Sequence, residues 1–167
     1  QVGSDLLGDS GSDRAGSGVA LSHDCSHLAV GAKFSASELG AKAGRVKVYE
    51  YDEDTGAWVQ KGSDIIGEAA GDQSGAMVSL SADGSRVAIG ADRNDAGGII
   101  NSGHVRIFEY SSSIGDWVQL GSDIDGIATA DLFGRSVSLS NDGARVAVGA
   151  NFHDGLVANS QTGEVRV

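Results

Sequence analysis

Val78-Ser79-Leu80-Ser81-Ala82-Asp83-Gly84-Ser85-Arg86-Val87-Ala88-Ile89-Gly90 sets an Asp-Gly pair between two short apolar runs. That arrangement predicts a tight hairpin, with positive φ at both central residues of the turn. The same phrase returns as Val137-Ser138-Leu139, Asp142-Gly143 and Val146-Ala147-Val148-Gly149, and it appears earlier as Val19-Ala20-Leu21 and Leu28-Ala29-Val30-Gly31. In that earliest copy Cys25 stands where Gly84 and Gly143 do, which predicts a strained hairpin or another turn type there.

Working outward, Gln1-Val2-Gly3-Ser4-Asp5 recurs as Gln60-Lys61-Gly62-Ser63-Asp64 and as Gln119-Leu120-Gly121-Ser122-Asp123, a period of 59 residues both times. Between Gln60–Arg93 and Gln119–Phe152, 20 of 34 aligned positions are identical, so one supersecondary unit has been copied. The chain divides into repeats 1–59, 60–118 and 119–167, the last incomplete and carrying one extra residue before Gly163. A third strand is expected at Arg45–Tyr49 and His104–Phe108, after a longer polar loop, and a fourth at Trp58–Gln60 and Trp117–Gln119.

The second strand is apolar or small throughout, which predicts cover on both faces. The third alternates charged or aromatic residues with Val and Ile, which predicts one buried face. A four-stranded sheet of this kind shields its faces by stacking on copies of itself. The expected fold is therefore all-β: blades of a β-propeller, as three four-stranded antiparallel repeats of a partial propeller or a longer repeat protein. Gln1–Asp5 already belongs to a repeat and Val165-Arg166-Val167 reads as strand, so both ends are expected to be cuts through a longer chain. A closed propeller needs roughly four to eight blades, so other blades of the same chain, or copies of it, are the expected neighbours.

The composition agrees. Twenty-six glycines, no proline and 5% aromatics suit many short strands and tight turns. Twelve basic against 23 acidic residues give 12 − 23 = −11, a field that disfavours nucleic acid and anionic membrane as partners. The plain reading of that charge is solubility. No apolar run approaches the length of a membrane-spanning helix, and the single Cys25 forbids an internal disulfide.

Leu132-Phe133-Gly134-Arg135-Ser136-Val137-Ser138-Leu139, followed by Val146-Ala147-Val148-Gly149-Ala150 and Gly163-Glu164-Val165-Arg166-Val167, resembles an FG-GAP repeat, the unit of integrin-α-like propellers. The Phe-Gly pair stands only in the third copy, with Ser17-Gly18 and Ala76-Met77 nearby in the others. The proline of the family's Gly-Ala-Pro is replaced by Lys33, Asp92 and Asn151. The resemblance implies an extracellular or cell-surface module that binds proteins or glycans or builds a scaffold. Its integrin-type members hold calcium in the first hairpin, but the hairpins here carry too few carboxylates for the roughly six to eight oxygens calcium takes.

Candidate sites follow from residue type. Asp92, Asn94 and Asp95, in one loop with Gly97 and Gly98, are possible calcium ligands; the plain reading is a solvated loop making local turns. Asp5, Asp64 and Asp123 recur in register, as do Asp13, Asp72 and Asp131, which predicts acceptors for backbone bonds in turns. Trp58, Trp117, Tyr51 and Tyr110 are the expected binding anchors if exposed and interblade filling if buried. His23, His27, His104 and His153 fall at no repeated metal spacing, and no nucleophile or paired-acid motif stands out, so an enzyme is not expected. The function expected is a non-catalytic surface module for adhesion, protein or glycan binding, or scaffolding. An intracellular platform of the WD-repeat kind is the alternative, and a propeller enzyme fragment a more distant one.

Overall fold

The computed structural model describes residues 1–155 and 161–167, and they form three antiparallel sheets. The first holds β1 (Ala15–Leu21), β2 (His27–Ala32), β3 (Arg45–Asp52) and β4 (Ala57–Gln60) in that order, with β5 (Ile65–Ile66) also on β3. The second repeats it with β6 (Met77–Leu80), β7 (Arg86–Ala91), β8 (His104–Ser111), β9 (Asp116–Gln119) and β10 (Ile124–Asp125). The third holds β11 (Ser136–Leu139), β12 (Val146–Ala150) and β13 (Glu164–Arg166). β9 and β10 pair with opposite ends of β8, and Leu120 N–H donates to Ile107 O between them at 2.8 Å. Together they form one broken outer strand, so each complete sheet is four strands deep. The divisions 1–59, 60–118 and 119–167 mark the period; the sheets are phased differently, the first two closing at Ile66 and Asp125.

Sheets meet face to face, and the cores lie between them. Ala29, Val46, Val48 and Ile65 of the first pack on Val78, Leu80, Val87, Ile89 and Phe108 of the second. Ala88 and Val105 of the second pack on Phe133, Leu139, Val148 and Ala150 of the third. Each Val, Leu or Ile so buried contributes about 1.5–3 kcal/mol relative to exposure, which a lone sheet would forgo. The hairpins between first and second strands are chained at the repeat period, His23 N–H to Ala82 O at 3.0 Å and Ala82 N–H to Asn141 O at 2.8 Å. At the other end, the backbone crosses between sheets through parallel bridges Gly44↔Ser74 and Gly103↔Phe133.

Three local readings differ from expectation. In the hairpins only the glycine is left-handed (Gly84 φ 67°, Gly143 φ 65°), and Asp83 and Asp142 are not. The reason is that Asp83 Oδ1 accepts from Ser81 Oγ (2.6 Å) and Ser85 N–H (3.0 Å), a local acceptor role that fixes a different turn. Cys25 adopts the glycine's conformation (φ 63°), so the first copy keeps the turn type and carries the strain. Second, β8 is buried on both faces at its start, where His104 and Arg106 are as enclosed as Val105, because the first sheet covers it. Third, the bridges align Phe133-Gly134 with Ser74-Gly75 rather than Ala76-Met77. The glycine of the pair recurs and the phenylalanine does not.

The hairpin carboxylates carry an acid liability. The Ser81 hydroxyl, then the Ser85 N–H, draw Asp83 down to about 2. Asp24 and Asp142 are held below the usual carboxylate range by Ser22 and Ser140, respectively. Each folded-state pKa is below its unfolded value, so the stability is fully present above about pH 4 and lost as pH falls towards 2. The urea midpoint is expected to drop between pH 5 and pH 3, with a shallower drop for Asp83→Asn. A midpoint that holds at pH 3 rejects the assignment.

Candidate binding groove

Tyr51 faces Trp58 across β3 and β4, and Tyr110 faces Trp117 across β8 and β9. Side chains directly opposite on antiparallel strands stand close enough to pack. The rings meet at 5.2 Å and 59°, and at 5.4 Å and 66°, the tilted geometry aromatic quadrupoles favour. The two residue types then part ways. The Trp117 indole N–H donates to Lys61 O of the preceding sheet at 2.7 Å, and Trp58 does the same to Val2 O at 3.2 Å. Trp117 thereby ties the outer strand of the second sheet to the end of the first.

The tyrosines line an open groove of about 600 Å³ between the outer strands of the first two sheets. Glu50, Tyr51, Asp52, Asp54, Lys61 and Tyr110 contribute to its wall. Asp52 accepts from Thr55 Oγ1 (2.7 Å) and Asp54 N–H (2.9 Å), and these bonds, led by the Thr55 hydroxyl, hold it below the usual carboxylate range. Lys61 donates to His27 Nε2 at 2.7 Å, pairs with Glu50 at 3.1 Å and lies 4.9 Å from the Tyr110 ring. Burial, then the Lys61 charge, push His27 below its ordinary value, so it accepts as neutral imidazole. The groove is thus an acidic rim with two aromatic faces and one tethered ammonium. That arrangement suits stacking on a ring and bonding to hydroxyl or cationic groups.

The residues of the 92–95 loop are engaged separately. Asp92 pairs with Arg135 of the third sheet at 3.6 Å, Asn94 donates to Asp72 at 3.0 Å, and Asp95 accepts from Asn101 N–H at 2.7 Å. Of the repeated acids, only some accept the expected backbone bonds. Asp13 takes Ser10 N–H, Asp72 takes Ala69 N–H, and Asp5, Asp64 and Asp123 take the side-chain amides of Gln1, Gln60 and Gln119. Asp131 bonds instead to the ring of His153 at 2.8 Å, which raises that imidazole's pKa.

One cluster was not foreseen from spacing. Glu68, His104 and Asp123 bring one imidazole nitrogen and two carboxylate oxygens within 4.8 Å of one another. His104 Nδ1 lies 3.8 Å from Glu68 Oε2 and 3.8 Å from Asp123 Oδ2, and its Nε2 is buried without a partner. Burial and then the Arg106 charge lower the His104 pKa, while burial raises that of Glu68. Its sequence signal was periodicity across strands: Glu68, His104 and Asp123 occupy the positions that Asp9, Arg45 and Asp64 hold one repeat earlier.

Comparison with known proteins bears on the fold. No curated protein matches the sequence. Two of the similar solved structures serve as examples. One is a putative 6-phosphogluconolactonase from Bacteroides uniformis (16% identity, TM-score 0.51, 89% of this chain and 38% of that one). The other is the hydrazine synthase of Kuenenia stuttgartiensis (14% identity, TM-score 0.47, 80% and 29%). The chain spans less than two fifths of either. The first likeness is one of fold alone, and it is propeller-like. Residues 124–167, which include Phe133-Gly134 at the joint with the second sheet, match the model of the FG-GAP repeat, so that stretch of the third copy is similar to a repeat of that family.

Proposed function

We propose that this chain is a stretch of β-propeller that works as a non-catalytic binding or scaffold module at the cell surface or outside the cell, taking a protein or glycan. The groove between the first two sheets carries the reading, because it gathers two tyrosine faces and a carboxylate rim that the sheet packing does not use. Catalysis is not part of the reading, since Asp13 and Asp72 serve as turn acceptors and the indole of Trp117 is spent on the Lys61 carbonyl.

Further blades complete the module. Val78 and Leu80 are 6% and 8% exposed in the middle sheet, whereas their counterparts Val19 and Leu21 are 60% and 50% exposed. A further sheet of the same design, from a longer chain or a second copy, would give that face the cover that the first sheet gives Val78 and Leu80.

Binding to immobilised glycans and basic peptides tests the groove. Tyr110→Ala, and separately Glu53→Lys with Asp54→Lys, are expected to weaken capture about tenfold, the loss of roughly one anchoring contact. The melting temperature serves as the folding control. Capture that survives both changes, or no capture on either panel, rejects the groove as the site.

A further inference from the structure

We propose that Glu68, His104 and Asp123 bind a divalent metal ion of the zinc type at the joint between the first and second sheets. The first repeat supplies the comparison. There Arg45 sits between Asp9 and Asp64, its Nη1 bonded to Asp9 and 3.0 Å from Asp64, while Lys47 reaches the other oxygen of Asp9 at 2.6 Å. Two cations face two carboxylates. In the second repeat Arg106 takes the place of Lys47, but His104 takes the place of Arg45. Glu68 and Asp123 remain, so the pocket has exchanged a permanent cation for an imidazole and lacks one positive charge.

The atoms left over converge on the gap. Glu68 Oε1 faces Arg106 Nη1 at 3.4 Å, and Arg106 Nη2 is spent on Ile66 O at 2.7 Å. Asp123 Oδ1 accepts from Gln119 at 2.7 Å. The remaining oxygens, Glu68 Oε2 and Asp123 Oδ2, both face His104 Nδ1, each 3.8 Å from it. That distance is too long for a hydrogen bond. Tetrahedral ligands about 2.1 Å from zinc stand about 3.4 Å apart, so the two imidazole–carboxylate distances would close by a few tenths of an ångström to seat the ion.

His104 makes the second, independent observation. Its side chain is 1% exposed, and no hydrogen bond satisfies it: Nε2 has no partner and Nδ1 faces the gap. With the proton on Nε2, the Nδ1 lone pair faces two carboxylates and no donor, and a metal ion would take it. One nitrogen and two carboxylates leave a fourth position for water, a donor set that suits zinc and falls short of calcium's oxygen number. In the third repeat Ile127 and Glu164 stand at the positions of Glu68 and His104, so this donor pair is not repeated there. Because Glu68 lies on the connection leaving the first sheet, the ion would staple one blade to the next. The inference is independent of the groove.

Calorimetric titration of the metal-free protein with zinc is expected to show one equivalent bound, with a melting temperature raised by roughly 5–10 °C at saturation. Calcium and magnesium at the same concentration are expected to give no shift. His104→Arg restores the arrangement of the first repeat, so it should keep the fold while lowering zinc affinity at least a hundredfold. Glu68→Gln should lower it about tenfold or more. Absence of stoichiometric zinc binding, or undiminished binding by a folded His104→Arg protein, overturns the assignment.

Discussion

Gly103→Ala is expected to destabilise the protein by roughly 2–5 kcal/mol, combining a left-handed backbone cost of about 1–2 with overpacking of about 1–3. Gly103 has φ +77°, and a Cβ there would fall 2.7 Å from Phe133 N and inside the surface of the Phe133 carbonyl oxygen. Neither neighbour can yield. Phe133 N–H bonds to Ser102 O at 2.9 Å and Gly126 N–H to the Gly103 carbonyl at 2.7 Å, so both backbones are pinned from either side. Gly98 isolates the two terms: its φ is +83°, yet nothing lies within 4 Å of where a Cβ would stand. Gly98→Ala should therefore cost only the backbone share, about 1–2 kcal/mol. Urea denaturation of both variants, at unchanged m, makes the comparison. Equal losses would mean that the close crossing of sheets at Gly103 is not what makes glycine necessary there.

Much of this architecture was legible because burial and periodicity point to the same strands. The run Val87-Ala88-Ile89-Gly90 has no polar face, and in the structure β7 is covered on both sides. Its counterpart β2 alternates buried and half-buried positions, with the same kind of sequence, because no sheet covers its outer face. Sequence therefore specified what each strand is built to bury, and position in the stack decided whether it does. The failure at β8 has the same origin. Alternation of His104, Val105, Arg106 and Ile107 marks polarity, but a charged residue beneath a neighbouring sheet is buried all the same. The hairpin was misjudged for a different reason: the aspartate of Asp-Gly is the acceptor for the serines on either side, a role that turn statistics alone do not separate from a left-handed centre.

The site was less legible than the fold. Tyr51 and Tyr110 were named beside Trp58 and Trp117, since aromatic recurrence marks all four alike. What divides them is the indole N–H, which reaches a backbone carbonyl at the start of its own repeat and leaves the tyrosine rings at the groove. Asp92, Asn94 and Asp95 are adjacent in sequence, and their side chains find three different partners. Glu68, His104 and Asp123 are far apart in sequence, and the sheet pairing β8–β10 together with the blade connection brings them together. A search by local spacing finds the first set and misses the second. Comparing the charge of each position with its counterpart 59 residues away would have found it.

Phe133→Ala is the harder prediction, because the fold already carries Ser74 at the equivalent position of the middle sheet. If that site could collapse, the truncation would be mild. The surroundings argue otherwise. Phe133 is fully buried between Ala88, Val105, Leu139, Val148 and Ala150, and the Arg166 guanidinium stacks 4.4 Å from its ring. The core between the first two sheets includes Phe108, Ile89 and Val46, whereas the cluster around Phe133 contains two alanines and no other aromatic ring. The third joint is built around the one large side chain. Its removal is expected to cost about 3–5 kcal/mol, the range for truncating a buried phenylalanine without relaxation, and to detach the third sheet before the other two. Hydrogen exchange should then show β11 and β12 losing protection while β2 and β7 keep theirs. A loss below about 1 kcal/mol, with protection of β11 intact, would show that this joint collapses as easily as the one at Ser74 and that the phenylalanine of the Phe-Gly pair is dispensable to it.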